Sequence, residues 1–188
     1  MRDSPAPTEA ASALLLTGLP GVGKTTVIQE VARLMPAATV RGFYTQEIRQ
    51  GGVRRGFQLI PFDGEIRTLA HVNHASEFRV GKYRVDVAML EQFAGSLLRP
   101  DPAATVYLID EIGKMECFSQ QFVTAVRRLL DAHVPVVAAV ASRGGGFIAE
   151  VKRRPDVVTW EVTRSNRDEL PARAVEWVRE RGAMDERE

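Results

Sequence analysis

The chain is short of the residues that would staple it covalently or hold it in lipid. It has one cysteine, Cys117, so no internal disulfide can form, and a reducing cytoplasmic setting is expected. No apolar run approaches the ~20 residues that a membrane helix needs. Met1 to Ala11 carries Asp3, Pro5, Pro7 and Glu9 and lacks the basic-then-apolar order of a signal peptide. Neither charge is in excess, with 25 Lys and Arg against 24 Asp and Glu. That balance gives no global pull toward nucleic acid or a membrane, so neither is an expected partner, although Lys152, Arg153 and Arg154 form a local basic run. No internal repeat, low-complexity tract or linker is visible.

What remains is an ordinary globular composition, 45% apolar and 26% charged over 188 residues, enough for one α/β domain with a real core. The expected division is a tail over 1–12, one domain over 13–181 and a second tail over 182–188. Ala13 to Thr17 is too short for a helix and ends at Gly18, so it reads as a buried strand. Thr25 to Leu34 reads as a helix, with Val27, Ile28, Val31 and Leu34 as its apolar stripe and Pro36 as its stop. Thr39 to Ile48 and Phe57 to Phe62 flank Gln50-Gly51-Gly52, which suggests a hairpin. Residues 63–82 show no clean period and read as loop, with room for one short strand. Helices are expected at Val85 to Leu98, Phe118 to Ala132, Gly146 to Arg153 and Pro171 to Arg181. Strands are expected at Thr105 to Ile109, Val134 to Val140 and Val157 to Val162. Apolar strands alternating with helices predict a mainly parallel sheet covered on both faces, with an added β-hairpin.

Gly18-Leu19-Pro20-Gly21-Val22-Gly23-Lys24-Thr25 fits the phosphate loop G-x-x-x-x-G-K-[ST] at every fixed position, between a strand and a helix, and Thr26 follows as a further nucleotide-binding candidate. Glycines let several main-chain N–H groups turn toward one phosphate chain. The helix that follows adds its positive end. Lys24 is a mobile cation for the outer phosphates, and Thr25 offers a hydroxyl to Mg²⁺. A glycine-rich strand-to-helix turn that binds nothing is the bland alternative, and the full match with its flanking elements argues against it.

Val106 to Ile109 runs directly into Asp110-Glu111. Carboxylates at the end of a buried parallel strand stand where such sheets bind ligands. Asp110 is the second Mg²⁺ holder, and Glu111 is the candidate to orient or deprotonate an attacking water. A solvated charge that merely follows Asp110 is the plainer reading of Glu111. An adjacent Asp-Glu pair also favours an added strand, Val134 to Val140, between Ala13–Thr17 and Thr105–Ile109, by fold-level analogy.

Several strings occur together and in order: the phosphate loop, Gly42-Phe-Tyr-Thr45-Gln46-Glu47-Ile-Arg49, Arg54-Arg-Gly56-Phe57, Gly81-Lys82-Tyr83-Arg-Val-Asp86, Asp110-Glu-Ile-Gly-Lys-Met-Glu116 and Asn166-Arg167-Asp168. In these the chain resembles the thermophilic-type nucleoside-triphosphatase family of P-loop NTPases, over about Leu14 to Val178. The resemblance implies a three-layer, RecA-like α/β fold and slow, Mg²⁺-dependent hydrolysis of ATP, GTP, CTP and UTP to the diphosphate and phosphate. Gln46 departs from the glutamate the family often carries there, so Glu47 is the better polar candidate.

Secondary candidates each have a plainer reading. Arg54 and Arg49 on the hairpin, and Arg143 after the third apolar strand, are candidates for an internal arginine finger; a solvated arginine is the alternative at each. Lys114 could reach the γ-phosphate, or cap a turn. Glu116 reads as a helix-start carboxylate favoured by the dipole. Asn166 and Arg167 stand where P-loop proteins place a base-binding loop, although Asn166 or Asp168 could simply cap the last helix. His71 and His74 read as a polar loop, Cys117 as a small buried thiol, and Trp160 and Trp177 as packing residues. A monomeric Mg²⁺-dependent nucleoside-triphosphatase is the expected function. A nucleotide or small-molecule kinase and a nucleotide-gated binding protein are its rivals.

Overall fold

In the computed structural model, which describes residues 11–185, one nine-stranded sheet carries helices on both faces. The elements run β1 (Ala13–Thr17), α1 (Lys24–Leu34), β2 (Val40–Gln50), β3 (Val53–Pro61), β4 (Arg67–His71), β5 (Arg79–Val80), β6 (Tyr83–Val85), α2 (Val87–Leu97), β7 (Val106–Ile112), α3 (Gln120–Asp131), β8 (Val136–Val140), α4 (Phe147–Lys152), β9 (Val157–Glu161) and α5 (Leu170–Asp185). The strand order is β5-β6-β4-β3-β2-β7-β8-β1-β9.

The pairings from β2 through β7, β8 and β1 to β9 are parallel. Those from β2 outward through β3, β4, β6 and β5 are antiparallel. Five strands form the parallel part of the sheet, and the antiparallel part has four more strands, β3 to β6. β2 turns into β3 at Gly51-Gly52, both with positive φ. Residues 63–82, expected to be mostly loop, supply β4 and β5, and β6 follows at once. Each is short and half-solvated: of Arg67–His71 only Leu69 and Ala70 are buried.

Alternation builds the core. Along β1, Ala13 and Leu15 face α2, α3 and α4, while Leu14 and Leu16 face α1 and α5. Along β7, Tyr107 and Ile109 join the first face and Val106 and Leu108 the second. Every one of these eight side chains is fully buried, which a strand covered on both faces requires. On α1, Val27, Ile28 and Val31 pack inward, but Leu34 is exposed, because Met35 takes the buried place at the end of the stripe.

Residues at the inner end of each expected tail belong to the fold. Ala11 and Ser12 are buried, and Ser12 exchanges main-chain hydrogen bonds with Asp156 and Val136. The last helix runs to Asp185, so 182–185 are helical. Residues 1–10 and 186–188 lie outside the described residues. His71 is a strand residue paired with Arg84, not part of a loop. Among the described residues no helix is long and apolar enough to cross a membrane.

Candidate functional site

β1, β7 and β8 end on the same edge of the sheet, and the chemistry gathers there. Gly18 leaves β1 with φ 150°, and a Cβ on it would lie 2.6 Å from the Val162 carbonyl oxygen, so only glycine lets the loop pass so close to the end of β9. Gly23, in the left-handed region at φ 117°, starts α1. The Lys24 side chain is buried, and its Nζ donates to the carbonyls of Gly18 (3.1 Å) and Leu19 (3.5 Å). The same Nζ lies 3.9 Å from Glu111 Oε2. The loop thus brings its cation to the end of β7.

Asp110 is 2% exposed, although it is a carboxylate. Its Oδ2 accepts from both the main-chain N and the hydroxyl of Thr45, each at 3.2 Å, and the Thr25 hydroxyl also hydrogen-bonds to it. Burial raises its pKa, against these hydrogen bonds and the charge of Lys24, which lower it. A buried carboxylate flanked by two hydroxyls is a set of hard oxygen donors and fits Mg²⁺. Among the described residues no group of three or more His, Cys, Asp and Glu could hold a metal by itself. Mg²⁺ commonly takes one or two carboxylates and completes its shell with phosphate and water, so this donor set suits an ion that arrives with a phosphate chain.

Glu111 is half-buried, and burial raises its pKa while Lys24 pulls it down. The Asp110–Glu111 peptide bond is cis. Thr25, Thr45, Asp110, Glu111, Lys114, Glu116 and Arg143 all border one cleft of about 340 Å³. Lys114 and Arg143 are exposed at its rim. Lys152 Nζ donates to the carbonyls of Ala141 and Ser142, which ties down the segment that presents Arg143.

Other sequence-predicted residues fall elsewhere. Arg54 is not part of the cleft wall: it pairs with Glu47, donates to the Tyr83 hydroxyl at 2.9 Å and stacks over the Phe57 and Tyr83 rings. Arg49 binds Glu47 as well, so Glu47 is committed to two arginines. Asn166 does not cap the last helix. Its Oδ1 accepts from Thr163 N at 2.8 Å and its Nδ2 donates to the Glu161 carbonyl at 2.9 Å, closing the loop after β9. Arg167 crosses to the phosphate loop, where its Cδ lies 3.3 Å from where a Gly23 Cβ would be. Leu19, Pro20, Gly21 and Val22 border a separate hollow with Glu161, Val162, Thr163 and Arg164, and Thr26 borders a third with Arg167. Trp160 and Trp177 each carry an arginine over the ring, at 4.9 and 3.9 Å, and are packing residues.

Three residues near the site carry no local signal for the places they take. Thr45 stands in a shared string with nothing to mark it, yet it holds Asp110. Gly113 is one glycine in a turn, yet a Cβ there would lie 2.8 Å from Glu111 Oε1 and 2.9 Å from Glu116 Oε2. Glu116 begins a one-turn 3-10 helix (Glu116–Phe118), not α3, whose N-cap is Ser119. It is 5% exposed, and burial pushes its pKa up to about 8. The Cys117 thiol, half-buried beside it, is pushed up to about 12, which keeps it protonated and unreactive.

Comparison with known proteins agrees over nearly the whole described chain. A family model described as NTPase matches residues 13–175. The nucleoside-triphosphatase THEP1 of Thermotoga sp. (strain RQ2) is 42% identical over 158 residues, covering 84% of this chain and 90% of the relative. The cancer-related nucleoside-triphosphatase of Homo sapiens is 39% identical over 173 residues, covering 84% and 91%. The crystal structure of THEP1 from the hyperthermophile Aquifex aeolicus superposes with a TM-score of 0.79 at 33% identity, over 88% of this chain and 98% of the other. On that breadth of agreement in sequence and in shape, the chain belongs to the NTPase family.

Proposed function

We propose that the protein is a Mg²⁺-dependent nucleoside-triphosphate phosphohydrolase, converting NTP and water to NDP and phosphate, built on a three-layer RecA-like frame. The observation that carries this reading is the meeting of three groups at one sheet edge. Lys24 lies 3.9 Å from Glu111, and the adjacent Asp110 is buried against Thr25 and Thr45.

Main-chain N–H groups from Gly21 to Thr25 hold the phosphates, with the N-terminus of α1 beneath them. Lys24 turns from its loop carbonyls to the outer phosphate oxygens. Thr25 and Asp110 hold Mg²⁺, which supplies charge neutralisation at the phosphate when bound. Glu111 takes a proton from the attacking water, and the burial that raises its pKa makes it a better acceptor. Arg143, at the cleft rim, is the better finger candidate, since Arg54 is already engaged by Glu47 and Tyr83.

Two further properties belong to the same reading. Both ends of the Asn166 side chain are engaged within its own loop, which turns its amide away from free recognition of one base. The exposed Arg167 beside Gly23 offers a flat cation that would stack on any base, which supports broad base tolerance. Slow turnover fits a rim whose two cations are both solvated, because water weakens every charge in the site.

The test is kinetic. Lys24→Ala is expected to abolish phosphate release. Glu111→Gln is expected to bind Mg²⁺-ATP with near-unchanged heat of association but to hydrolyse it at least about tenfold more slowly. Unchanged turnover in Glu111→Gln removes the base assignment.

A further inference from the structure

The cleft continues past the groups that hydrolysis uses. Beyond Asp110 and Glu111 it runs beneath the antiparallel strands, where its wall is Phe57 of β3, Leu69 of β4, Val80 of β5 and Met115. Leu69 is buried and Phe57, Val80 and Met115 are partly buried, so this end is apolar. The base has no claim on it. The hollow beside the phosphate loop lies toward β9, at one end of the sheet order, whereas β3, β4 and β5 lie toward the other. A triphosphate entering from the β9 side therefore presents its γ-phosphoryl to Asp110 and Glu111 with the apolar wall still free behind them. Hydrolysis needs only a water there.

We propose that this end of the cleft binds a phosphoryl acceptor, a primary alcohol carried on one flat apolar ring, and that the γ-phosphoryl group passes to its hydroxyl. The proposal rests on the nucleotide reading above. A dry cavity of about 150 Å³ holds benzene, so a cleft of about 340 Å³ has room for one ring beside a phosphoryl group. Met115 gives the ring an adaptable, polarizable neighbour. In the transfer, the alcohol oxygen bonds to the γ-phosphorus as the bond to the β,γ-bridging oxygen breaks. That electron pair leaves on the nucleoside diphosphate, and the hydroxyl proton goes to the Glu111 carboxylate and then to solvent. Lys114 and Arg143 at the rim stand ready for the charge of the ester formed. Hydrolysis is the same reaction with water in the acceptor's place.

The full chain with Mg²⁺-ATP is incubated alone and with benzyl alcohol, 3-hydroxymethylpyridine or 5-hydroxymethylpyrimidine at millimolar concentration, and products are resolved by phosphorus NMR. The expected result is a phosphate ester, identified by its coupling to the methylene protons, that at least equals free phosphate with one of the three. No ester in any arm overturns the proposal. The arm without alcohol decides the hydrolysis reading separately, by free phosphate alone. Val80→Trp fills the apolar end, and in it the ratio of ester to free phosphate is expected to fall about tenfold, the cost of lost acceptor binding. An unchanged ratio places the acceptor elsewhere and also overturns the assignment.

Discussion

Gly113 is the point at which one methyl group separates the chemistry from the fold. A Cβ built on it lies 2.8 Å from Glu111 Oε1, 2.9 Å from Glu116 Oε2 and 3.2 Å from Glu111 Cγ. Carbon and oxygen rest comfortably at about 3.3 Å or more, so each carboxyl must retreat by about half an ångström. The backbone does not object, since Gly113 is not among the glycines with positive φ. The two oxygens in contact are the free ends of glutamate side chains, so Gly113→Ala is expected to fold at a cost of about 1 kcal/mol, the low end for overpacking. The base moves, however. A misplacement of 1 Å costs about a hundredfold, so half of that is expected to cost about tenfold in single-turnover phosphate release, with nucleotide affinity by calorimetry almost unchanged. The decisive comparison is the double variant. If Gly113→Ala acts by displacing Glu111, it has nothing left to displace in Glu111→Gln, and the second change is expected to add less than about twofold. Full additivity, or wild-type turnover in Gly113→Ala, refutes the placement of Glu111 at the reacting centre.

Glu116 sets a pH dependence. Its pKa in the folded chain, about 8, is above the ordinary 4.5. Above pH 4.5 the unfolded chain gives up this proton while the folded chain keeps it, so stability falls as pH rises toward 8. Glu116→Gln is expected to flatten the melting temperature of nucleotide-free protein across pH 5 to 8, and a wild-type slope in the variant contradicts the burial argument. Thr45→Val removes a hydroxyl that fixes Asp110, at 3.2 Å. Loss of such a support typically weakens metal binding by about 10–100-fold, which a Mg²⁺ titration of nucleotide turnover reads directly. Arg143→Ala is expected to slow hydrolysis toward the ~10³-fold of a lost finger. Arg54→Ala, which breaks contacts with Glu47 and Tyr83, is expected to shift the melting temperature more than the rate.

What could be read in the sequence was whatever a few adjacent residues decide. Ala13–Thr17 was legible to the residue because a strand buried on both faces needs an apolar run, here Ala13 to Leu16, and the phosphate loop because its glycines, lysine and threonine stand at fixed spacing within one turn. Residues 63–82 were opaque for the opposite reason. Strands of two to five residues bury only one or two side chains, here the adjacent Leu69 and Ala70, too few to show a period. The site divides along the same line. Asp110 announced itself at the end of an apolar run, but the residue that holds it, Thr45, is 65 positions away. It arrives because β2 and β7 pair in parallel with Phe43 opposite Ile109, a register no local pattern encodes. Glu116 misled because a glutamate is almost never buried, and only the turn over Gly113 folds it back toward Glu111. Arg54 shows the same dependence on distance. The hairpin offered it as a finger, and Tyr83, 29 residues along the chain on β6, takes its guanidinium instead. Motif residues are thus legible in themselves, and their partners become legible only once strand order is known.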